Sequence, residues 1–409
     1  MGRGTERVIV IGSGPAGLMA ALTAASSGKK VILLEALPSV GRKLLASGAG
    51  KCNFTNMLDA EAMAERFAPE QRRFVRPALL NFTPQMTREF FAVHGVKHTL
   101  VDEFYCFPAS GKAGDILQVL LDAAIGNGAK IICQTQVEDL LIKDGRIAGV
   151  VAGGQTFECD YLIAAGGGPG FPLLGGRGSL DKVMLQAGVS MIKRTPALCG
   201  IKSQDEYLSE LAGIVLDEVI VSLDKNNTSG GTLLFTGDGI SGPAALDIAG
   251  RVAVKLAAGE SLTLHINFAP DMSRAAWQQL LDDARQNNGK RLLYNSLGNK
   301  LPQALIAAIT AASGVSDCRV SQLSRSAGET LLNNLTGYKL KVSSVENWDK
   351  AMASTGGVCR SRINARTMQS REIENLYFAG EFMDVDGPCG GYNIQWALSS
   401  GFTAGHLKK

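Results

Sequence analysis

The first 35 residues constrain the fold most. Val8-Ile9-Val10-Ile11 is a short β-branched run that stops at Gly12, the pattern of a strand buried on both faces. Gly12-x-Gly14-x-x-Gly17 follows, and Pro15 suits the first turn of a helix, where the N–H it lacks would have no helical partner. Leu18, Met19, Leu22 and Ala25 give that helix an apolar stripe, and Gly28 ends it as a C-cap. Val31-Ile32-Leu33-Leu34 is a second strand, closed by Glu35. The three glycines differ in what they permit. The first makes the tight turn, the second lets backbone approach a pyrophosphate, and the third lets helix pack on strand. Phosphates would meet free N–H groups at the positive end of the helix. Glu35 lies 23 residues after Gly12, where a carboxylate accepts from adenosine ribose hydroxyls. The unit predicts a doubly wound α/β domain that holds a dinucleotide through Gly12, Ser13, Gly14, Pro15, Ala16, Gly17, Glu35 and Ala36.

Composition narrows the class. The 409 residues carry 41 Lys+Arg against 38 Asp+Glu, so a net charge of +3 gives no reason to invoke nucleic acid or an anionic membrane as partner. A 45% hydrophobic share with 19% charged residues excludes a disordered chain. The 48 glycines exceed the usual ~7% without any collagen period, which places them in turns and close backbone approaches. The 8 cysteines contain no CxxC, and 4 histidines cannot complete a structural zinc spacing, so no metal site is expected. Reduced thiols in a cytoplasmic protein are the expectation. Residues 8–28 are uncharged and follow Arg3 and Arg7, yet the glycine-rich turn cuts the stretch after four apolar residues. It reads as fold, not as a signal peptide or membrane span.

Further along, residues 59–92 read as helical with a solvated basic face of Arg66, Arg72, Arg73 and Arg76. A helical pattern covers 115–126, and short strands are expected at 130–134, 146–151 and 161–165. Residues 190–270 turn strand-like, 273–336 helical, and the tail repeats the opening texture: a strand at 376–379 and a helix over 393–406. The expected organisation is a split domain of 1–192 and 354–409, a β-barrel-like insert of 193–272 and 337–353, and a helical insert of 273–336.

FAD is longer than NAD and needs contacts far along the chain. Three segments suit it. Arg42 and Lys43 can neutralise phosphate, Ala165-Gly166 ends a strand at the right edge, and Gly380-Glu381 puts a carboxylate where ribityl hydroxyls would lie. Gly390-Gly391 then opens the final helix, whose N-terminus would stabilise negative charge on a reduced flavin.

The loop Gly41-Arg42-Lys43-Leu44-Leu45-Ala46-Ser47-Gly48-Ala49-Gly50-Lys51-Cys52-Asn53-Phe54-Thr55-Asn56 resembles the hallmark of the YhiN-like, or BaiN/RdsA-type, NAD(P)/FAD-dependent oxidoreductases. Phe235-Thr236-Gly237-Asp238-Gly239-Ile240-Ser241-Gly242-Pro243 and the stretch from Gly380 to Gly401 are also similar, so the likeness runs over the whole chain. Asp238 departs from the bulkier polar or His residue of many relatives. The resemblance implies a two-dinucleotide-binding flavoprotein fold with β-barrel-like and helical inserts. It implies that Arg42, Lys43, Asn53, Glu381, Asn393 and Ile394 lie along FAD, with Ser47, Gly48 and Gly391 in the same cradle, and that the Val137 backbone meets the adenine. Members reduce conjugated enones of dehydro-bile acids or oxidise aminoacetone, and distant relatives modify tRNA.

No hydrolase grouping is signalled. The chemistry expected is flavin-dependent reduction of activated C=C bonds in a small molecule, with NAD(P)H as transient donor. An oxidase using O₂, an RNA-modifying flavoprotein and a non-enzymatic regulator are the rivals. Tyr105, Tyr392 and Cys52 are the candidate proton donors, and Cys389 stands beside the final glycine pair. Gly237-x-Gly239-x-x-Gly242 also matches the dinucleotide pattern, but the acid after the next strand, Asp271, is 34 residues on rather than ~20.

Overall fold

The computed structural model describes residues 5–297 and 300–408, so Arg3 and the outermost bounds of the split domain lie outside the described residues. The chain divides into one unit of Met1–Arg194 with Ala353–Lys409 and a second of Thr195–Met352, each around its own apolar core.

In the first unit, β1 (Arg7–Ile11), β2 (Lys30–Leu34), β3 (Lys130–Ile132), β4 (Tyr161–Ala164) and β5 (Leu376–Phe378) form a parallel sheet in the order β5-β4-β1-β2-β3. Its registers are direct: Val10 faces Ile163 on one side and Leu33 on the other. The helices α1 (Pro15–Ser26), α2 (Ala113–Gly126) and α3 (Tyr392–Gly405) belong to the same unit. Small residues bring α3 down on α1, where a Cβ at Gly401 would stand 2.3 Å from the Ala16 carbonyl oxygen. Residues 59–92 form three helices, not one, because Pro69 and Pro84 each restart the chain at a helix N-terminus. On them Arg72 and Arg76 pair with Glu65 and Glu61. Two small antiparallel sheets belong to the same unit, one in which Tyr105–Pro108 pairs with exposed His98–Val101 and with buried Thr55–Asn56, and a meander over 137–158.

The second unit is a closed six-stranded antiparallel barrel. Helices of 273–336, set apart on sequence, share its core: Trp277, Leu305 and Leu331 belong to the same apolar cluster as Phe235 and Leu264. The second glycine motif is explained here. Gly237 and Asp238 make the turn of a hairpin in which Thr236 pairs with Gly239. A Cβ at Gly239 would lie 2.1 Å from the Ile201 oxygen, so that glycine serves strand approach. No helix among the described residues is long and apolar enough to cross a membrane.

Candidate cofactor and active site

Parallel strands end at one edge, and the turns after β1, β2, β4 and β5 are the segments singled out on sequence. Ala165 N–H donates to Ile11 O (2.9 Å), Gly12 N–H to Leu34 O (2.9 Å) and Ala379 N–H to Ala164 O (3.0 Å), which ties the four ends together. The three glycines of the first turn then separate by what surrounds them. A Cβ at Gly12 (φ +96°) would lie 2.5 Å from Ala165 O, and one at Gly17 only 1.9 Å from Gly12 O. At Gly14 a Cβ meets nothing within 4 Å, and its φ of −69° is open to any residue. The fold needs glycine at 12 and 17 and makes no steric demand for it at 14, where a pyrophosphate-binding turn would. Pro15 and Ala16 begin α1, whose first N–H groups have no helical partner.

Glu35 is held in place by Ser13 and Leu37. Its Oε2 accepts from Ser13 N–H (2.9 Å) and from the Ser13 hydroxyl, and its Oε1 from Leu37 N–H (2.9 Å). Gly41 N–H donates to Ser13 Oγ (3.2 Å), so one hydroxyl joins three loops. Oε1 retains a lone pair for one further donor. Ala36 is exposed beside it. Thr135 N–H donates to Glu35 O (2.8 Å), which brings the strand that begins at buried Val137 close to this acid. Half-buried Arg42 pairs with no carboxylate among the described residues. Lys43, by contrast, is engaged by a carboxylate.

The Lys43 ammonium donates to Glu381 Oε2 (2.8 Å), a pairing across 338 residues. Glu381 Oε1 accepts from Ser354 N–H (2.9 Å) and Oγ (3.1 Å). Burial pushes this carboxyl up, but Lys43, Arg194 and Ser354 outweigh it and hold it below the ordinary range. Arg194, nearly fully buried, organises the group. Its guanidinium binds both oxygens of Asp181 (2.6 and 3.1 Å), the carbonyls of Glu381 and Phe382 (3.1 Å each), and Ser354 Oγ (3.2 Å). Sequence reasoning missed Arg194, Asp181 and Ser354. Only the Gly356-Gly357 pair, both at positive φ, marked that neighbourhood. Gly380 is buried against Ala16, and Gly166, at the end of β4, is exposed.

The start of α3 is pressed on Thr55, since a Cβ at Gly391 would lie 2.8 Å from that residue's backbone. Gln395 locks the joint. It accepts from Thr55 Oγ1 (2.7 Å) and donates to Phe82 O (3.1 Å) and Ser399 Oγ (3.0 Å), all buried. Gly390 sits between the rings of Tyr105 and Tyr392, at 2.7 and 3.3 Å from a notional Cβ. Tyr105 is half-buried and Tyr392 buried. Asn393 closes the loop before the helix, with its amide exchanging two 2.8 Å bonds with Gly387, while Ile394 is partly buried against the core. The Asn53 amide lies beside Thr55 O and Cys106 O, to which its nitrogen donates (2.8 and 3.2 Å) once the amide is turned to face them. Ser47 bonds Leu44 O (2.6 Å), and Gly48 is exposed at φ +55°. The Cys52 thiol is fully buried and desolvation pushes it up to about 12, which keeps it protonated and away from solvent. Cys389 is half-buried.

The family described as HI0933-like protein Rossmann domain matches residues 6–407. The chain belongs to this family. The HI0933-like chain is 30% identical to the ribosomal RNA dihydrouridine synthase of Escherichia coli over 96% of its own length and 95% of the relative's. It is equally 30% identical to the 3-dehydro-bile acid delta(4,6)-reductase of Clostridium scindens, over 98% of each. Among solved structures it shares the fold of an E. coli quinol fumarate reductase (TM-score 0.52, 15% identity), covering 99% of this chain and 70% of that one. An HI0933-like protein is an oxidoreductase built on a Rossmann-type FAD-binding domain. The residues present fit FAD: open space at Gly14, a remaining acceptor on Glu35 and an Arg42 with no carboxylate partner among the described residues line the end where a nucleotide would lie.

Proposed function

We propose that the chain binds FAD along this edge and uses a nicotinamide donor, NADH or NADPH, to reduce a C=C bond conjugated to a carbonyl in a small organic substrate. The observation that carries the reading is Gly14, the one glycine of its turn that the fold leaves facing open space. Bound flavin supplies hydride exchange between the donor and the double bond. The chain's own groups do the rest. The free N–H groups at the start of α1 and the charge of Arg42 hold the pyrophosphate, and Glu35 takes a ribose hydroxyl. Lys43, Ser354 and Arg194 fix the Glu381 carboxylate and its turn. The first turn of α3 presents N–H groups to any negative charge that develops beside it. Reduction also needs a proton on the second carbon, and Tyr105 and Tyr392, whose rings flank Gly390, are the candidate donors.

A second substrate follows from the same chemistry. The C5=C6 bond of uracil is conjugated to its C4 carbonyl, and two relatives over nearly their full length, from E. coli and Haemophilus influenzae, are named ribosomal RNA dihydrouridine synthases. Anaerobic stopped-flow separates the readings. NADH or NADPH should bleach the flavin band near ~450 nm, and a conjugated enone or a uridine-containing RNA should restore it. Rapid reoxidation by O₂ with peroxide release, and none by either acceptor, would replace a reductase with an oxidase.

A further inference from the structure

A net charge of +3 conceals a local excess. From Arg285 to Arg325 the chain carries Arg285, Lys290, Arg291, Lys300, Arg319 and Arg325 against a single acid, Asp317. The second unit gathers five of these cations. Leu293 N–H donates to Cys318 O (2.9 Å), Val320 N–H to Arg291 O (3.1 Å) and Ser321 N–H to Gly289 O (3.0 Å), which lays 289–293 against 318–321. The Arg319 guanidinium donates to Lys290 O (3.0 Å) and that of Arg285 to Leu323 O (2.9 Å), and Arg325 opens the helix two residues later. All five are exposed, and none has a carboxylate partner among the described residues. Lys300 and Arg274 instead take Asp271 and Glu329. The earlier basic face is half paired, Arg72 and Arg76 taking Glu65 and Glu61, which leaves two cations there against five here. An exposed group of five cations without carboxylate partners among the described residues gives this surface a local positive potential that favours an anionic partner.

We propose that this face of the helical segment docks the phosphate backbone of RNA. The proposal rests on the second reading above, in which the reduced double bond belongs to a uracil in RNA. Exposed Asn287, Asn288, Ser321 and Gln322 interleave the cations as hydrogen-bond donors, the composition that phosphate and sugar contacts use. A membrane fits less well. Leu293, Val320 and Leu323 of the same segments are buried, so no apolar side is left to insert.

The test measures fluorescence anisotropy of a labelled uridine-rich RNA hairpin with the full-length, flavin-loaded protein across a salt series. Five phosphate contacts predict a log–log salt slope of roughly −3.5 to −4.5. Lys290→Gln, Arg291→Gln and Arg325→Gln combined remove three exposed charges that hold no carboxylate among the described residues, so the melting temperature should hold. Affinity should fall at least about tenfold, and the slope should flatten by about 2 to 3. Unchanged affinity and slope would overturn the proposal. Loss of binding to phosphatidylserine vesicles with RNA binding intact would overturn it too, in favour of a membrane. Binding is read without turnover, so a protein that reduces a free enone yet ignores RNA refutes the docking face alone and leaves the reductase standing.

Discussion

At the scale of single residues, three glycines of one motif predict three different outcomes. Gly17→Ala drives a Cβ to 1.9 Å from a backbone oxygen that cannot yield without parting α1 from β1, an overpacking that costs about 1–3 kcal/mol or more. Gly14→Val meets open space in a conformation valine tolerates. The expectation is that Gly17→Ala lowers the melting temperature of cofactor-free protein, while Gly14→Val leaves it in place and purifies colourless. A fully yellow Gly14→Val would displace the pyrophosphate from this turn. Glu381 gives a pH signature. Its carboxyl is held below the ordinary value of 4.5 by Lys43, Arg194 and Ser354 despite burial, so its contribution is complete above that value and fades as pH falls through the folded pKa. Glu381→Gln should therefore lose about 1–3 kcal/mol in urea unfolding at pH 7, with the gap to the parent closing below pH 4.5. An equal gap at both pH values would mean the charge is not what matters. The steric roles of Gly12 and Gly17 were legible because strand, turn and helix are neighbours in the chain. Arg194 was not, because nothing local distinguishes an arginine that will be buried beside an acid 187 residues away.

At the scale of elements, the joint between α3 and the strand at Thr55–Asn56 is polar and buried. Removing one side of it strands the other. Gln395→Leu leaves the Thr55 hydroxyl unpaired at a cost of about 1–3 kcal/mol, or several degrees of melting temperature. Gln395→Leu with Thr55→Val removes both partners and should recover most of that loss. If the double variant is as unstable as the single, packing and not the hydrogen bond holds the helix. Elements with long apolar periods were readable: α1, α2, α3 and the central strands fall within about two residues of their predicted bounds. The hairpin at 98–108 was not, since every residue of His98–Val101 is exposed and no alternation marks it. The repeated glycine motif at 237–242 shows the converse case. A pattern that means phosphate after a parallel strand means close strand approach inside a barrel, and only register tells the two apart.

At the scale of the molecule, the first unit cannot close until both ends of the chain exist. β5 pairs with β4 through Leu162–Leu376, Ile163–Tyr377 and Ala164–Phe378, contacts more than 200 residues apart, and the whole second unit is translated between them. The similar texture of the two ends made this split visible in sequence. What sequence left open is energetic, namely whether the inserted unit folds with the first or by itself. Two separate apolar cores argue for separate cooperative units. The Gly14 turn, Glu35, Glu381 and α3 all lie in the first, so FAD should stabilise only that one. Ligand at 100 times its dissociation constant contributes about 2.7 kcal/mol to the unit that binds it. Calorimetry of cofactor-free protein should therefore resolve two transitions, of which added FAD moves one upward by several degrees and leaves the other. A single transition that shifts as a whole would show that the cores melt together, and stability could then no longer be assigned to either unit alone.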